Sequence, residues 1–124
     1  MKITVFLTAA LLWFAAGAAF ADWQPVGKYR VSAYCPCAVC CKKADGITAD
    51  GTYAPGSKDR IVAAPKEFPF GTKLWIEGVG VVVVHDRGTA MRGHQLDLFF
   101  PKHKAALKWG VQQRAVFLWT DKSG

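Results

Sequence analysis

A small all-β barrel is the fold class this sequence predicts, and three observations predict it. Beyond residue 21 the chain falls into short apolar segments divided by glycine, proline and aspartate. Several of these segments alternate apolar and polar residues with the period of a strand, not of a helix. One stretch alone has helical character. Many short strands, one helix and a chain long enough for a single core suggest a compact β-barrel.

The segments run in order as follows. "GKYRVSAY" (27–34) alternates, with Tyr29, Val31 and Ala33 on one face. "DGITADG" (45–51) holds two Asp-Gly steps and reads as turns around a short extended piece. "RIVAAP" (60–65) and "KLWIEG" (73–78) are strands bounded by proline and glycine. "GVVVVH" (80–85) is apolar at successive positions, as a strand buried on both faces would be. "HQLDLFF" (94–100) and "RAVFLWT" (114–120) complete a set of six strands. "PKHKAALKWG" (101–110) is the helix, with Pro101 near its start and Gly110 as its C-cap.

The N-terminus carries an address. Lys2 precedes an apolar run from Ile3 to Phe20 that closes on Ala19-Phe20-Ala21, the A-x-A pattern of a secretory signal peptide. Cleavage is expected between Ala21 and Asp22, and Asp22 offers no thiol for acylation. The expected product is residues 22–124, one exported domain in the periplasm, cell envelope or extracellular space, acting as a monomer. The formal charge is +7 for the whole chain and +6 without Lys2, which points to an anionic partner such as cell-wall polymer or a membrane surface. Nucleic acid is not expected, because the basic residues are scattered and no recognised binding motif occurs.

All four cysteines lie in "YCPCAVCC", at positions 35, 37, 40 and 41. An even count in a short exported chain argues for disulfides that stabilise a small core. Cys40 with Cys41 is disfavoured, since adjacent residues pair only through a strained ring. That leaves Cys35–Cys40 with Cys37–Cys41, or Cys35–Cys41 with Cys37–Cys40. The rival reading is a thiolate knot for copper(I) or zinc; two CxxC knuckles divided by a spacer are absent, so neither metal nor another cofactor is expected.

Two aspartates stand out. In "QLDLFF", Leu96 and Leu98 share one face of the strand, and Gln95, Asp97 and Phe99 share the other. The apolar neighbours of Asp97 favour its neutral acid, which is what a proton donor working near neutral pH requires. Asp86 leaves the valine strand into a loop, residues 87–93, that carries Arg87, Gly88, Arg92 and Gly93.

In sequence, "ITADGT", "PFGTKLWIEGVG", "HDRGTAMRGHQLDLFF" and "ALKWG" resemble the 3D (three-aspartate) domain of stationary-phase cell-wall proteins and of the C-terminus of membrane-bound lytic transglycosylase A. The most specific part is the pattern met by Asp86, Gly88, Ala90, Arg92, Gly93, Asp97, Leu98, Phe99 and Phe100. The resemblance implies a six-stranded double-psi β-barrel. It also implies peptidoglycan lytic transglycosylase activity, cleaving between N-acetylmuramic acid and N-acetylglucosamine to leave a 1,6-anhydro sugar. The acid/base aspartate then falls on Asp97 and its partner on Asp86, with Thr48, Arg92, Gly88 and Tyr34 as expected substrate contacts. The third aspartate falls on Ala64, so this chain has two of the three. That departure keeps open a second expectation, a non-catalytic barrel that grips glycan, for which the basic residues Lys102, Lys104 and Lys108 also speak.

Overall fold

The computed structural model describes residues 22–37, 45–88 and 93–120. The expected signal segment, Cys40, Cys41 and Arg92 lie outside them. Six strands form a closed barrel: β1 (Trp23–Tyr34), β2 (Ile61–Ala63), β3 (Lys73–Ile76), β4 (Gly80–Asp86), β5 (Gln95–Phe99) and β6 (Gln112–Trp119). Among the described residues a single α-helix, α1 (His103–Trp109), joins β5 to β6, and a 3-10 turn spans Ala54–Gly56. Around the barrel the order is β1-β5-β2-β4-β3-β6, with β1·β5 and β2·β4 parallel and the other pairs antiparallel. This closed mixed barrel with one helix accords with the predicted class, and closure leaves no sheet edge to pair with another chain.

Strand alternation sorts the side chains. Val31, Val62, Leu74, Ile76, Val82, Val84, Leu96 and Leu98 are fully buried inside the barrel. A second cluster of Tyr34, Ala54, Ile61, Ala63 and Phe99 lies on the outer wall, where the 3-10 turn covers it. The helix ends as expected: Gly110 has φ +66° and its N–H donates to the Ala106 carbonyl at 3.1 Å.

Three expectations are corrected. β4 is not buried on both faces: Val82 and Val84 point inward while Val81 is exposed, because a barrel wall has one inner and one outer face. β1 starts at Trp23, ahead of the alternating run, because a register shift between Pro25 and Gly27 lets the proline sit within a strand. Gly27 has φ +114°, and a Cβ there would lie 3.2 Å from the His94 ring. The disulfides are the third. Neither Cys35 nor Cys37 is disulfide-bonded; the two sulfurs turn toward His103, 68 and 66 residues further along the chain.

Leu98→Ala should test the inner core. Its side chain is fully buried, and truncation leaves a cavity worth about 3 kcal/mol. The urea midpoint should fall with an unchanged m-value. A loss below about 1 kcal/mol would contradict the packing described.

Candidate active site

β5 fixes Asp97. With Leu96 and Leu98 committed to the interior, period-two alternation places Asp97 on the outer wall. There it is register-paired with Ser32 of β1 on one side and Ala63 of β2 on the other. Ala63 is also the register partner of Asp86 on β4. One methyl group thus separates two carboxyl-bearing strands, whose backbones lie about 10 Å apart at two strand spacings.

The two carboxyls have different surroundings. Burial raises the pKa of Asp97 above the ordinary 3.8; the hydrogen bond from Ser32 opposes that rise, and the negative charge of Asp86 adds to it. Ser32 Oγ lies 3.1 Å from Asp97 Oδ1 and 3.2 Å from the Leu96 carbonyl. One hydroxyl proton serves one acceptor at a time. When Asp97 is protonated, Ser32 can accept from it and donate to Leu96; when Asp97 is ionised, Ser32 can turn its proton to the carboxylate. The pair therefore suits both protonation states.

Asp86 is held by three donors. Tyr34 Oη–H donates to Oδ2 at 2.8 Å, and the Ala49 and Arg87 backbone N–H groups each donate to Oδ1 at 2.9 Å. The Arg87 guanidinium lies elsewhere. It reaches the backbone carbonyls of Ala64 at 3.5 Å and Asp86 at 3.3 Å, and stacks over Phe70 at 4.1 Å.

The remaining expected site residues occupy definite places. Tyr34 is buried and acts on Asp86 through its hydroxyl. Thr48 is buried in the 45–53 turn, donating to Asp50 at 2.7 Å and accepting from the Thr52 N–H at 3.1 Å. Gly88 leaves β4 two residues after Asp86 and is half-buried. Ala64, where the resemblance places the third aspartate, is fully buried with the inner core, and its N–H donates to the Asp86 carbonyl at 3.2 Å.

Sequence reasoning missed a clamp beside this site. His85 bridges two carboxylates, with Nδ1 2.6 Å from Asp50 and Nε2 3.0 Å from Asp59. Partial burial alone would lower the pKa of His85, but its bonds to Asp50 and Asp59 raise it overall. Asp50 moves the other way: burial would raise it, yet bonds with His85, Thr48 and Thr52 bring it to about 2. The Ala49 N–H that the clamped turn presents is one of the three donors to Asp86. A histidine directly before Asp86 and an Asp-Gly turn were the available signals.

Residues 60–120 match the family model described as the 3D domain. The chain carries a 3D domain. The match begins after β1, although the barrel needs β1 between β5 and β6 to close. Two Bacillus subtilis (strain 168) proteins are similar: YabE, named for cell wall shaping, and the cell wall-binding protein YocH. YabE is 35% identical over 72 residues, 56% of this chain and 18% of its own length. YocH is 34% identical over 73 residues, 57% of this chain and 25% of its own. This chain spans a quarter or less of either relative's own length.

Two pH effects follow from the titration directions. Asp97 has a raised pKa, so it adds no penalty below its ordinary 3.8 and costs stability once pH rises through the folded value. Asp97→Asn should therefore melt above the parent at about pH 7 and level with it near pH 3. Equal melting at both would deny the burial of the charge.

The clamp has the opposite limits. The raised pKa of His85 contributes fully below its ordinary 6.5 and is lost as pH rises through the folded value. Asp50 contributes above its ordinary 3.8 and is lost as pH falls through about 2. Asp50→Asn should thus cost more at about pH 5.5 than at about pH 8.5, by about 1 kcal/mol for a part-buried pair near the surface. Thermal melts of both proteins at the two pH values measure it; a larger loss at the higher pH would contradict the clamp.

Proposed function

We propose that this 3D domain cleaves peptidoglycan between N-acetylmuramic acid and N-acetylglucosamine by a lytic transglycosylase reaction. A role at the cell wall is supported by the similarity to YabE and YocH, and it fits an exported, basic protein. One observation carries the enzymatic reading. Asp97 is a carboxyl whose pKa is raised by burial, facing the charge of Asp86 across the methyl of Ala63.

In the proposed reaction, protonated Asp97 donates to the glycosidic oxygen as the bond to the anomeric carbon breaks. Positive charge grows on that carbon, and Asp86, fixed by Tyr34 and two backbone N–H groups, supplies a preorganised negative charge. The C6 hydroxyl of the same muramic residue then attacks the anomeric carbon and returns its proton to the Asp97 carboxylate. The acid is regenerated, no water is consumed, and the product is the 1,6-anhydro sugar. One carboxyl serves both steps, so the separations that distinguish hydrolytic carboxylate pairs do not apply.

Ala64 favours a second reading, in which the barrel binds glycan without cutting it. Incubation with purified peptidoglycan separates the two, because cleavage alone releases anhydro-muropeptides. The parent should release them, and Asp97→Asn should lower the rate by at least about a hundredfold with the fold retained. Asp86→Asn should slow the reaction and move the alkaline limb of the pH–rate profile to lower pH, since removing a like charge makes Asp97, which must be protonated to donate, easier to ionise. A parent that retains glycan and releases nothing would establish the binding reading instead.

A further inference from the structure

We propose that Cys35, Cys37 and His103 form a zinc(II) site at the end of β1, separate from the aspartate pair. Their donor atoms lie within 4.8 Å of one another. His103 Nδ1 is 3.3 Å from Cys35 Sγ and 3.4 Å from Cys37 Sγ, and the sulfurs are 2.6 Å apart. Tetrahedral zinc, with Zn–S of about 2.3 Å and Zn–N of about 2.0 Å, sets S···N near 3.5 Å and S···S near 3.8 Å. Both S···N distances already suit the ion, and binding requires only that the sulfurs separate by about 1 Å. An imidazole nitrogen nearly equidistant from two sulfurs has no part in a disulfide. It is the third corner of a thiolate–metal site.

The scaffold supports this assignment. Cys35 continues directly from β1, whose last residue, Tyr34, is register-paired with Phe99 and accepts the Phe100 N–H at 2.7 Å. Only Phe100, Pro101 and Lys102 separate β5 from α1, so the parallel pairing of β1 with β5 delivers His103 to the cysteines. The far end of α1 is tied to the same strand, where the Trp109 indole N–H donates to the Val31 carbonyl at 2.9 Å. Cys35 is fully buried, while Cys37 and His103 are half-exposed, which gives a closed floor and an open side for entry. The donor set points to zinc, since cysteine thiolates with a histidine nitrogen are the ligands of structural zinc sites.

The site would pin β1 to α1 whether or not the barrel cuts glycan. The test uses purified protein under reducing conditions, with zinc alone as the probe and cobalt(II) as its spectroscopic substitute. One equivalent of zinc should bind and raise the melting temperature, and cobalt(II) should give a thiolate charge-transfer band. X-ray absorption should show at least two sulfur ligands and one imidazole. Cys37→Ser and His103→Ala alter half-exposed positions; each should weaken zinc binding by roughly a hundredfold or more and abolish the thermal gain. His85→Ala should leave zinc affinity unchanged. The proposal is overturned if zinc does not bind, if both variants bind it as tightly as the parent, if His85→Ala removes it, or if copper(I) binds in its place. It is equally overturned if, with the reductant removed, dissolved oxygen oxidises Cys35 and Cys37 to a disulfide as readily in the presence of zinc as in its absence.

Discussion

The site depends on the commitment of Leu96 and Leu98 to the barrel interior. A five-residue strand flanked on both sides by hydrogen-bonded neighbours cannot rotate one residue without exposing both leucines. At about 1.5–3 kcal/mol for each buried leucine, that alternative is closed. Asp97 is therefore held on the outer wall among Phe99, Ala63 and Ser32, where its charge is poorly solvated. The hydrophobic core supplies the energy that keeps an unfavourable carboxylate in place. The same alternation on β2 turns Ala63 outward between the two acids while Val62 and Ala64 pack inward.

Around this pair, each support comes from a different part of the chain. Tyr34 at the end of β1 holds Asp86, and the 45–53 turn adds a backbone donor. His85 fastens that turn through Asp50, one residue before the carboxylate the turn supports. β4 thus places two adjacent side chains in different roles, His85 binding the turn and Asp86 facing Asp97. Ala64 packs in the inner core and donates its N–H to the Asp86 carbonyl.

Much of this was legible in the sequence, for physical reasons. The period-two pattern of "QLDLFF" places Asp97 opposite its leucines on any strand, and the Gly and Pro punctuation located six strands and one helix. Asp86 could be found at the exit of a strand. What local patterning could not supply was cross-strand register, which brings Ser32 and Ala63 beside Asp97. It also could not show that Arg87 would stack on Phe70 instead of pairing with Asp86. The cysteines are the clearest case: four within seven residues invite pairing with one another. His103, 68 residues after Cys35, becomes their neighbour only through the parallel β1·β5 pairing and the three-residue step into α1.

The central claim is that Asp97 is a carboxyl whose proton is held by burial and by the charge of Asp86. Carbon-13 NMR titration of the aspartate carboxyls, in the parent and in Asp86→Asn, measures this at the atom concerned. The account predicts that Asp97 titrates clearly above the ordinary 3.8 and moves downward in the variant while staying above that value, because burial remains the larger cause. An Asp97 that titrates at its ordinary value in the parent, or does not respond to Asp86→Asn, would contradict it.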